Sequence, residues 1–305
     1  MTGNFKGILL IAAGASSYGI LATIVKYAGG AGVTIAGLTL AQYVFGLLFL
    51  MVAGWIFERR TVAKSNVIRT RKDKLRLISY GSSLGFTSCF YYLCVQFVSV
   101  SVAIVLLMQT IWMGVLLEAI DSRRRVSLEK WIGAGSSILG TALAAGLFRG
   151  SVHLNGWGVL TGLLAAVSYA FVMYAANKVG LGLPVIQRSK FLVIGGLIIV
   201  LLFWNVRLLD HSNWIELSGW GMVLGFFGTF LPPVLFNRGF PLTGTATGSI
   251  VAAVEIPVSV VSACWILHES LGIVRWSGIG LILFSVVLIN LKRKQKKLVP
   301  DGFVS

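Results

Sequence analysis

Apolar runs of about 20 residues, the length needed to cross some 30 Å of hydrocarbon as a helix, recur along the whole chain with short polar segments between them. Within each run the apolar positions follow neither a one-faced helical stripe nor a strand alternation, so these segments are apolar all round. The pattern predicts ten helices, at roughly Phe5–Tyr27, Ile35–Phe57, Leu75–Val95, Ser99–Leu117, Trp131–Leu147, Trp157–Asn177, Phe191–Val206, Leu217–Leu235, Thr245–Leu267 and Ile273–Leu291. The seventh carries the weakest signal, because Arg188, Lys190 and Arg207 crowd its ends. One such block fits a soluble core; ten in 305 residues have no soluble interior large enough to hold them. Helices close their backbone hydrogen bonds internally, which a lipid-embedded span requires. The fold class is therefore an all-α polytopic membrane protein with ten transmembrane helices.

Composition agrees: 56% of residues are hydrophobic, 12% are charged, and mean hydropathy is +0.87. The net charge of +16 would suggest nucleic acid in a soluble protein, but its placement excludes that reading. With the N-terminus inside, the inner side holds Lys6; Arg59, Arg60, Lys64, Arg69, Arg71, Lys72, Lys74 and Arg76; Arg123, Arg124, Arg125 and Lys130; Lys178, Arg188, Lys190 and Arg238; and Lys292, Arg293, Lys294, Lys296 and Lys297. That is 22 of the 26 Lys and Arg, with Lys26, Arg149, Arg207 and Arg275 left outside, as the positive-inside rule requires of a multi-pass cytoplasmic (plasma or inner) membrane protein with both termini cytoplasmic. Only Lys6 precedes the first apolar run and no small-residue cleavage site follows it, so that run reads as a retained helix. Cys89, Cys94 and Cys264 lie inside apolar segments without metal or redox spacing.

The two halves resemble each other. Gly7, Leu9, Ala15, Ser17 and Tyr18 recur as Gly158, Leu160, Ala166, Ser168 and Tyr169, and Trp131, Gly133 and Gly135 recur 145 residues later as Trp276, Gly278 and Gly280. Each half holds five spans, and an odd number inserts the second copy in the opposite direction. The domains are thus an N-terminal five-helix repeat (1–150), a C-terminal five-helix repeat (151–292) and a basic cytoplasmic tail (293–305). Two inverted five-helix units suit alternating access. Gly81 and Gly85, Gly158 and Gly162, and Gly221 and Gly225 sit one turn apart and permit close helix contact. Pro232, Pro233 and Pro257 free backbone carbonyls; Pro257 reads as a hinge or as a packing kink.

The segments SVSVAIVLLMQTIWMGVLLEAI from Ser99 and TGTATGSIVAAVEIPVSVVSACWILHESLGIVRWSGIGLILFSVVLI from Thr243 carry a family likeness. A small-residue helix, a central proline (Pro257), a closing glutamate (Glu269) and a final Trp/Gly helix (Trp276, Gly278) resemble the drug/metabolite transporter superfamily in its ten-helix, EamA-type form. The likeness covers Gly7 to Leu291. In the first copy Ile111 or Trp112 stands where proline is expected and Arg123 where glutamate is expected, so the halves are chemically unequal. Relatives export amino acids, drugs or other metabolites, and some exchange nucleotide sugars or phosphorylated sugars. The resemblance therefore implies solute transport without naming the solute.

Glu255 is the sharpest single signal, a carboxylate near the middle of an apolar span. Exposure to lipid there is expensive, so it faces the bundle interior, is protonated or is paired. It binds a cationic group on the substrate, exchanges a proton, or serves as a structural carboxyl. Gln109 lies near the matching depth of span four and can donate and accept beside it. Tyr18 and Tyr169, each an apolar wall with a hydroxyl, suit an amphipathic solute. Tyr91, Tyr92, Met108 and Trp112 form a further aromatic and soft group, for packing or contact. Lys26 snorkels, attracts an anionic solute or pairs with Glu255; Asn177 closes span six; Arg238, beside Asn237, lies in a short inner turn where it can gate. Glu269, with His268 alongside, reads as a helix end or loop hydrogen bond, or as a proton-coupling group.

No Gly-rich ATP-binding loop, zinc-ligand spacing or Gly-x-Ser-x-Gly elbow occurs, which argues against ATP-driven pumping and enzymes and calls for no cofactor or metal. The leading reading is an alternating-access carrier moving an amino acid or similar small amphipathic metabolite, outward, with a proton as coupling partner at Glu255 and lipid as its surroundings. The alternative is an exchanger of phosphorylated or nucleotide-linked solutes; a channel or non-transporting membrane scaffold is the rival class.

Overall fold

The computed structural model describes residues 3–30, 33–61, 71–98, 100–122, 126–144, 155–205, 214–267 and 272–296. The described elements are all helices, and they form ten spans: α1 (Gly3–Gly30), α2 (Ile35–Thr61), α3 (Arg71–Phe97), α4 (Val100–Leu107 and Thr110–Ser122), α5 (Leu128–Ala144), α6 (Gly156–Lys178), α7 (Val185–Trp204), α8 (214–243), α9 (Thr245–Ala252 and Glu255–Leu267) and α10 (Ile273–Lys296). Stretches in α1, α2, α4, α6, α7 and α8 are long and apolar enough on their own to cross a membrane. The 27-residue α3 falls short of that hydropathy because it carries Ser79, Ser82, Ser83, Thr87, Ser88, Tyr91 and Tyr92. It can do so because neighbours cover it on several sides. α2 is the contrast, turning Leu48, Met51, Val52 and Trp55 outward and burying Thr39, Gln42 and Tyr43. An apolar outer surface of this kind costs nothing against lipid tails.

Two boundaries differ from the hydropathy reading. α7 starts at Val185, not near Phe191, so Arg188 and Lys190 are helical. α8 continues to Thr243, so Asn237 and Arg238 lie within a helix and not in an inner turn. In both cases the basic side chain looked like the end of a span. The structure instead buries Arg188 with partners and leaves Arg238 exposed from the helix surface. Glu269, His268 and the residues after Lys296 lie outside the described residues.

The repeat is visible in the breaks. α4 and α9 each divide into a first part of 8 residues and a second part of 13. The interruptions, at Met108–Gln109 and Ala253–Val254, stand at the same register as Trp131 and Trp276. Packing exchanges between halves as well: α3 lies on α6 and α7, α8 lies on α1 and α2, and α5 pairs with α10. These contacts need glycine. A Cβ on Gly195 would overlap the Ile78 carbonyl, and one on Gly81 would overlap the Leu192 carbonyl, so α3 and α7 touch backbone to backbone. Between α5 and α10, Gly278 meets the backbone of Gly140 and Ala144, beside a 2.5 Å contact of the buried Ser137 and Ser285 hydroxyls.

Candidate functional site

The breaks in α4 and α9 set the site. In α9, Pro257 has no N–H for the Ala253 carbonyl, which takes Ile256 N at 3.1 Å instead. Val254 N likewise reaches back only three residues, to Val251 O. The chain is tightened there, and a polar residue opens the second part: Glu255 in α9 and, at the equivalent place in α4, Thr110. Each presents a buried oxygen without a hydrogen-bond partner, Glu255 Oε2 and Thr110 Oγ1.

Glu255 lines a cavity of about 270 Å³. Around it stand Tyr18, Tyr91, Tyr92 and Tyr169, with Gln42, Thr87, Ser88 and Ser259 as further polar groups and aliphatic side chains of α1, α2, α3 and α4 as the remaining wall. No basic residue is among the described lining residues. The Tyr169 hydroxyl lies beside the Glu255 carboxyl without a hydrogen bond of good geometry, and it too is buried and unpartnered. Tyr18 meets Tyr169 edge to face at 6.1 Å, and Tyr91 leans on Tyr92 at the same spacing. Gln42 is fixed from both sides: its Nε2 donates to Thr229 Oγ1 at 3.0 Å, and its Oε1 accepts from Tyr92 OH at 3.3 Å. The arrangement joins one carboxylate to an aromatic wall, a setting suited to a cation with an apolar body.

The cavity lies towards one end of the helix bundle. Its lining comes from the start of α2, the end of α3, the first part of α4 and the second part of α9. Ile104 and Leu107 line it together with Glu255, Ile256 and Ser259. The equivalent pair at the opposite end is in contact: the first part of α9 packs on the second part of α4, with Ser249 Oγ donating to Ile111 O at 3.2 Å.

That opposite end is sealed by aromatic and polar contacts. Phe236 stands edge to face with Tyr18 at 5.9 Å and with Phe240 at 5.3 Å, forming a floor. Beyond it, Arg188 is 2% exposed and spends its guanidinium on carbonyls: Nε on Val179 O at 3.0 Å, one terminal nitrogen on Asn237 O at 2.8 Å, the other on Ala176 O at 2.8 Å and Ala175 O at 3.4 Å. It caps the last turn of α6, where carbonyls lack helical partners and a cation is favoured, and ties that turn to α8. Asn177 Nδ2 donates to Thr245 Oγ1 at 2.9 Å. Glu118 accepts from Ala246 N at 2.7 Å and pairs with Lys130, and Lys178 pairs with Asp121 at 2.8 Å.

Of the residues singled out in the sequence, Glu255, Tyr18, Tyr169, Tyr91 and Tyr92 come together on the cavity wall. Gln109, Trp112 and Met108 do not. Gln109 is satisfied locally, its Nε2 on Val105 O and its Oε1 on Trp112 Nε1, both at 3.1 Å, and Met108 is sealed in the core. Asn177 belongs to the sealed end, Pro257 to the break below Glu255, and Arg238 is exposed on α8. The Lys26 side chain lies outside the described residues. Gln42 went unrecognised, although a lone amide inside an uncharged 23-residue stretch is itself a signal. Arg188 was hidden by its neighbours in sequence, which read as a loop.

The chain matches the EamA-like transporter family twice, over residues 5–146 and 156–291. It is 27% identical over 173 residues to an uncharacterized transporter of Synechocystis sp. (strain ATCC 27184 / PCC 6803 / Kazusa), a match covering 55% of this chain and about half, 51%, of that relative. A crystal structure of a protein 14% identical superimposes with a TM-score of 0.77, covering 96% of this chain and 99% of the other, a likeness of fold.

Proposed function

The chain belongs to the EamA-like transporter family, and from that membership we propose that it carries a small amphipathic metabolite, an amino acid or related compound, outward across a cytoplasmic membrane by alternating access. Family membership sets it among transporters, not enzymes. The substrate's cationic group binds Glu255, or a proton takes its place there during the cycle, while Tyr18, Tyr91, Tyr92 and Tyr169 hold the apolar body. The observation that carries this reading is the shielded, unpartnered Glu255 Oε2 on the wall of the tyrosine-lined cavity. If the basic inner loops are cytoplasmic, this cavity faces outward and the Arg188 end is the closed cytoplasmic gate.

An exchanger of phosphorylated or nucleotide-linked solutes needs convergent cations. The described lining residues supply none, and Arg188 already spends its donors on main-chain carbonyls. The test is saturable counterflow in reconstituted vesicles with a panel of amino acids and amines. Glu255→Gln should lower the apparent affinity for a cationic solute by about tenfold or more and flatten the dependence of flux on pH. Undiminished flux with an unchanged pH profile in that variant would remove Glu255 from the mechanism.

A further inference from the structure

Not every hydroxyl of α3 faces a neighbour. On the outer surface of the bundle, α3 and α6 leave between them a groove of about 330 Å³, lined by Ser79, Ser82 and Ser83 of α3 and by Val167, Ser168 and Phe171 of α6 among others. Ser79, Val167 and Phe171 are exposed there. Polar side chains in a span normally face the bundle interior, as Thr87 and Ser88 of the same helix do on the wall of the tyrosine-lined cavity. Ser82 and Ser83 donate to the carbonyls of Ser79 and Tyr80, both at 2.6 Å. Such a hydroxyl can keep that bond and accept from a ligand, or turn and donate to an ester carbonyl.

The groove continues into a basic end. α3 begins and α6 finishes on the side of the basic loops, and each helix carries the groove's face to that end at helical spacing. On α3 the steps from Ser83 through Ser79 and Arg76 to Lys72 are four, three and four residues, and on α6 so are those from Val167 through Phe171 and Tyr174 to Lys178. Lys72, Arg76 and Lys178 are exposed. Lys74 turns away: its ammonium and that of Lys190 lie 5.7 and 5.4 Å from the Phe191 ring on α7. The first six residues of α3 set Arg71, Lys72, Lys74 and Arg76 against Asp73 alone, and Asp121 at this end is held by Lys178 at 2.8 Å and Tyr174 at 3.0 Å. With a rise of 1.5 Å per residue, Arg76 stands about 4.5 Å and Lys72 about 10.5 Å along the axis from Ser79. The groove is thus apolar and hydroxylic within the span and cationic at its mouth.

We propose that this groove binds one anionic phospholipid from the leaflet next to the basic loops. Arg76 and Lys72 hold its phosphate, the serines meet its glycerol esters, and its chains run along Val167 and Phe171. Thr87, which donates to Ser83 O at 2.7 Å, and Tyr169, next to Ser168, line the tyrosine-lined cavity, so the lipid lies on the outer side of the same wall. The site is independent of which solute the cavity takes.

The test titrates the delipidated full-length protein in detergent with phosphatidylglycerol or with phosphatidylcholine of the same chains, and counts bound lipid by native mass spectrometry. The first phosphatidylglycerol should bind about tenfold more tightly than phosphatidylcholine, since each basic group near a headgroup is worth about fivefold. Lys72→Gln with Arg76→Gln should erase that preference. Lys74→Gln with Lys190→Gln removes as much charge from the same end and should leave affinity within about twofold. Ser79→Leu fills the groove without changing charge and should weaken the first phosphatidylglycerol several-fold; all five positions lie at the surface, and an unchanged Tm verifies the fold of each variant. Equal affinity for the two lipids, or equal losses from the two charge pairs, would reduce the site to a diffuse basic surface and overturn the proposal. Binding untouched by Ser79→Leu would also overturn it, as would displacement by glycerol phosphate, which would assign the cations to a soluble phosphate. A dimer that Ser79→Leu dissolves would assign the groove to a second copy of the chain instead.

Discussion

Arg188 offers the sharpest test of how the sealed end is held. Its guanidinium makes three short bonds to buried carbonyls, to Val179 at 3.0 Å and to Asn237 and Ala176 at 2.8 Å each. Bonds from a charged donor contribute about 1.5–3 kcal/mol each, but replacing the residue also removes the cost of burying its charge, so the losses do not add in full. Arg188→Ala should destabilise the protein by about 3–5 kcal/mol, mostly because the last carbonyls of α6 lose their partner in a dry setting. On a chain this long that corresponds to a fall in Tm on the order of 5–10 °C, read by thermal unfolding of the purified protein in detergent. Arg188→Lys keeps the charge but reaches fewer carbonyls, so it should recover about half of the loss. A shift of only about 1 °C in Arg188→Ala, within what a surface change produces, would show that the guanidinium is not holding α6 to α8.

Two further outcomes follow from the backbone. Gly195→Ala should impair folding, seen as loss of monodisperse protein or as about 1–3 kcal/mol of destabilisation, because its Cβ would overlap the Ile78 carbonyl; Gly135→Ala, which meets nothing within 4 Å, should behave like the parent. Pro257→Ala restores an N–H that can reach the Ala253 carbonyl, so Tm should rise slightly while turnover in counterflow falls several-fold as the break stiffens. Unchanged turnover would mean that the break at Glu255 is packing and not a moving part.

Long apolar spans announced themselves in the sequence because a membrane leaves no other use for them, and α1, α2 and α6 extend the predicted spans by only a few residues. Charges misled the reading. Arg188 and Lys190 suggested a loop, yet a helix C-terminus supplies carbonyls that make a buried arginine tolerable, and no sequence window shows which carbonyls will be near. The break in α9 was legible in Pro257; the break in α4 was not, since neither proline nor glycine marks Met108–Gln109. Of the site, Glu255, Tyr18 and Tyr169 were legible as polar or amphipathic groups in the middle of spans, and Tyr91 and Tyr92 as an aromatic pair for packing or contact near the end of theirs. Gln109 satisfied the same criterion but turned inward on its own helix, bonding Val105 O and Trp112 Nε1. Depth along a helix is readable from spacing; azimuth, which decides between cavity and neighbour, is set by packing.

The two breaks share a position but not a cause, and that difference gives the repeat a direction. In α9 the cause is covalent: Pro257 keeps the Ala253 carbonyl from its helical partner in every state. In α4 every residue has an N–H to give, and the irregular turn, in which Ile111 N bonds Met108 O at 3.0 Å, coexists with Ser249 bonding Ile111 O from across the sealed end. That second contact belongs to the sealed end. One half of the duplication thus carries a permanent bend with a carboxylate on it, and the other a bend packed against the sealed end with a neutral hydroxyl in the same place. Within a matching backbone, the unequal side chains at equivalent places, a carboxylate at Glu255 and a hydroxyl at Thr110, distinguish the two halves.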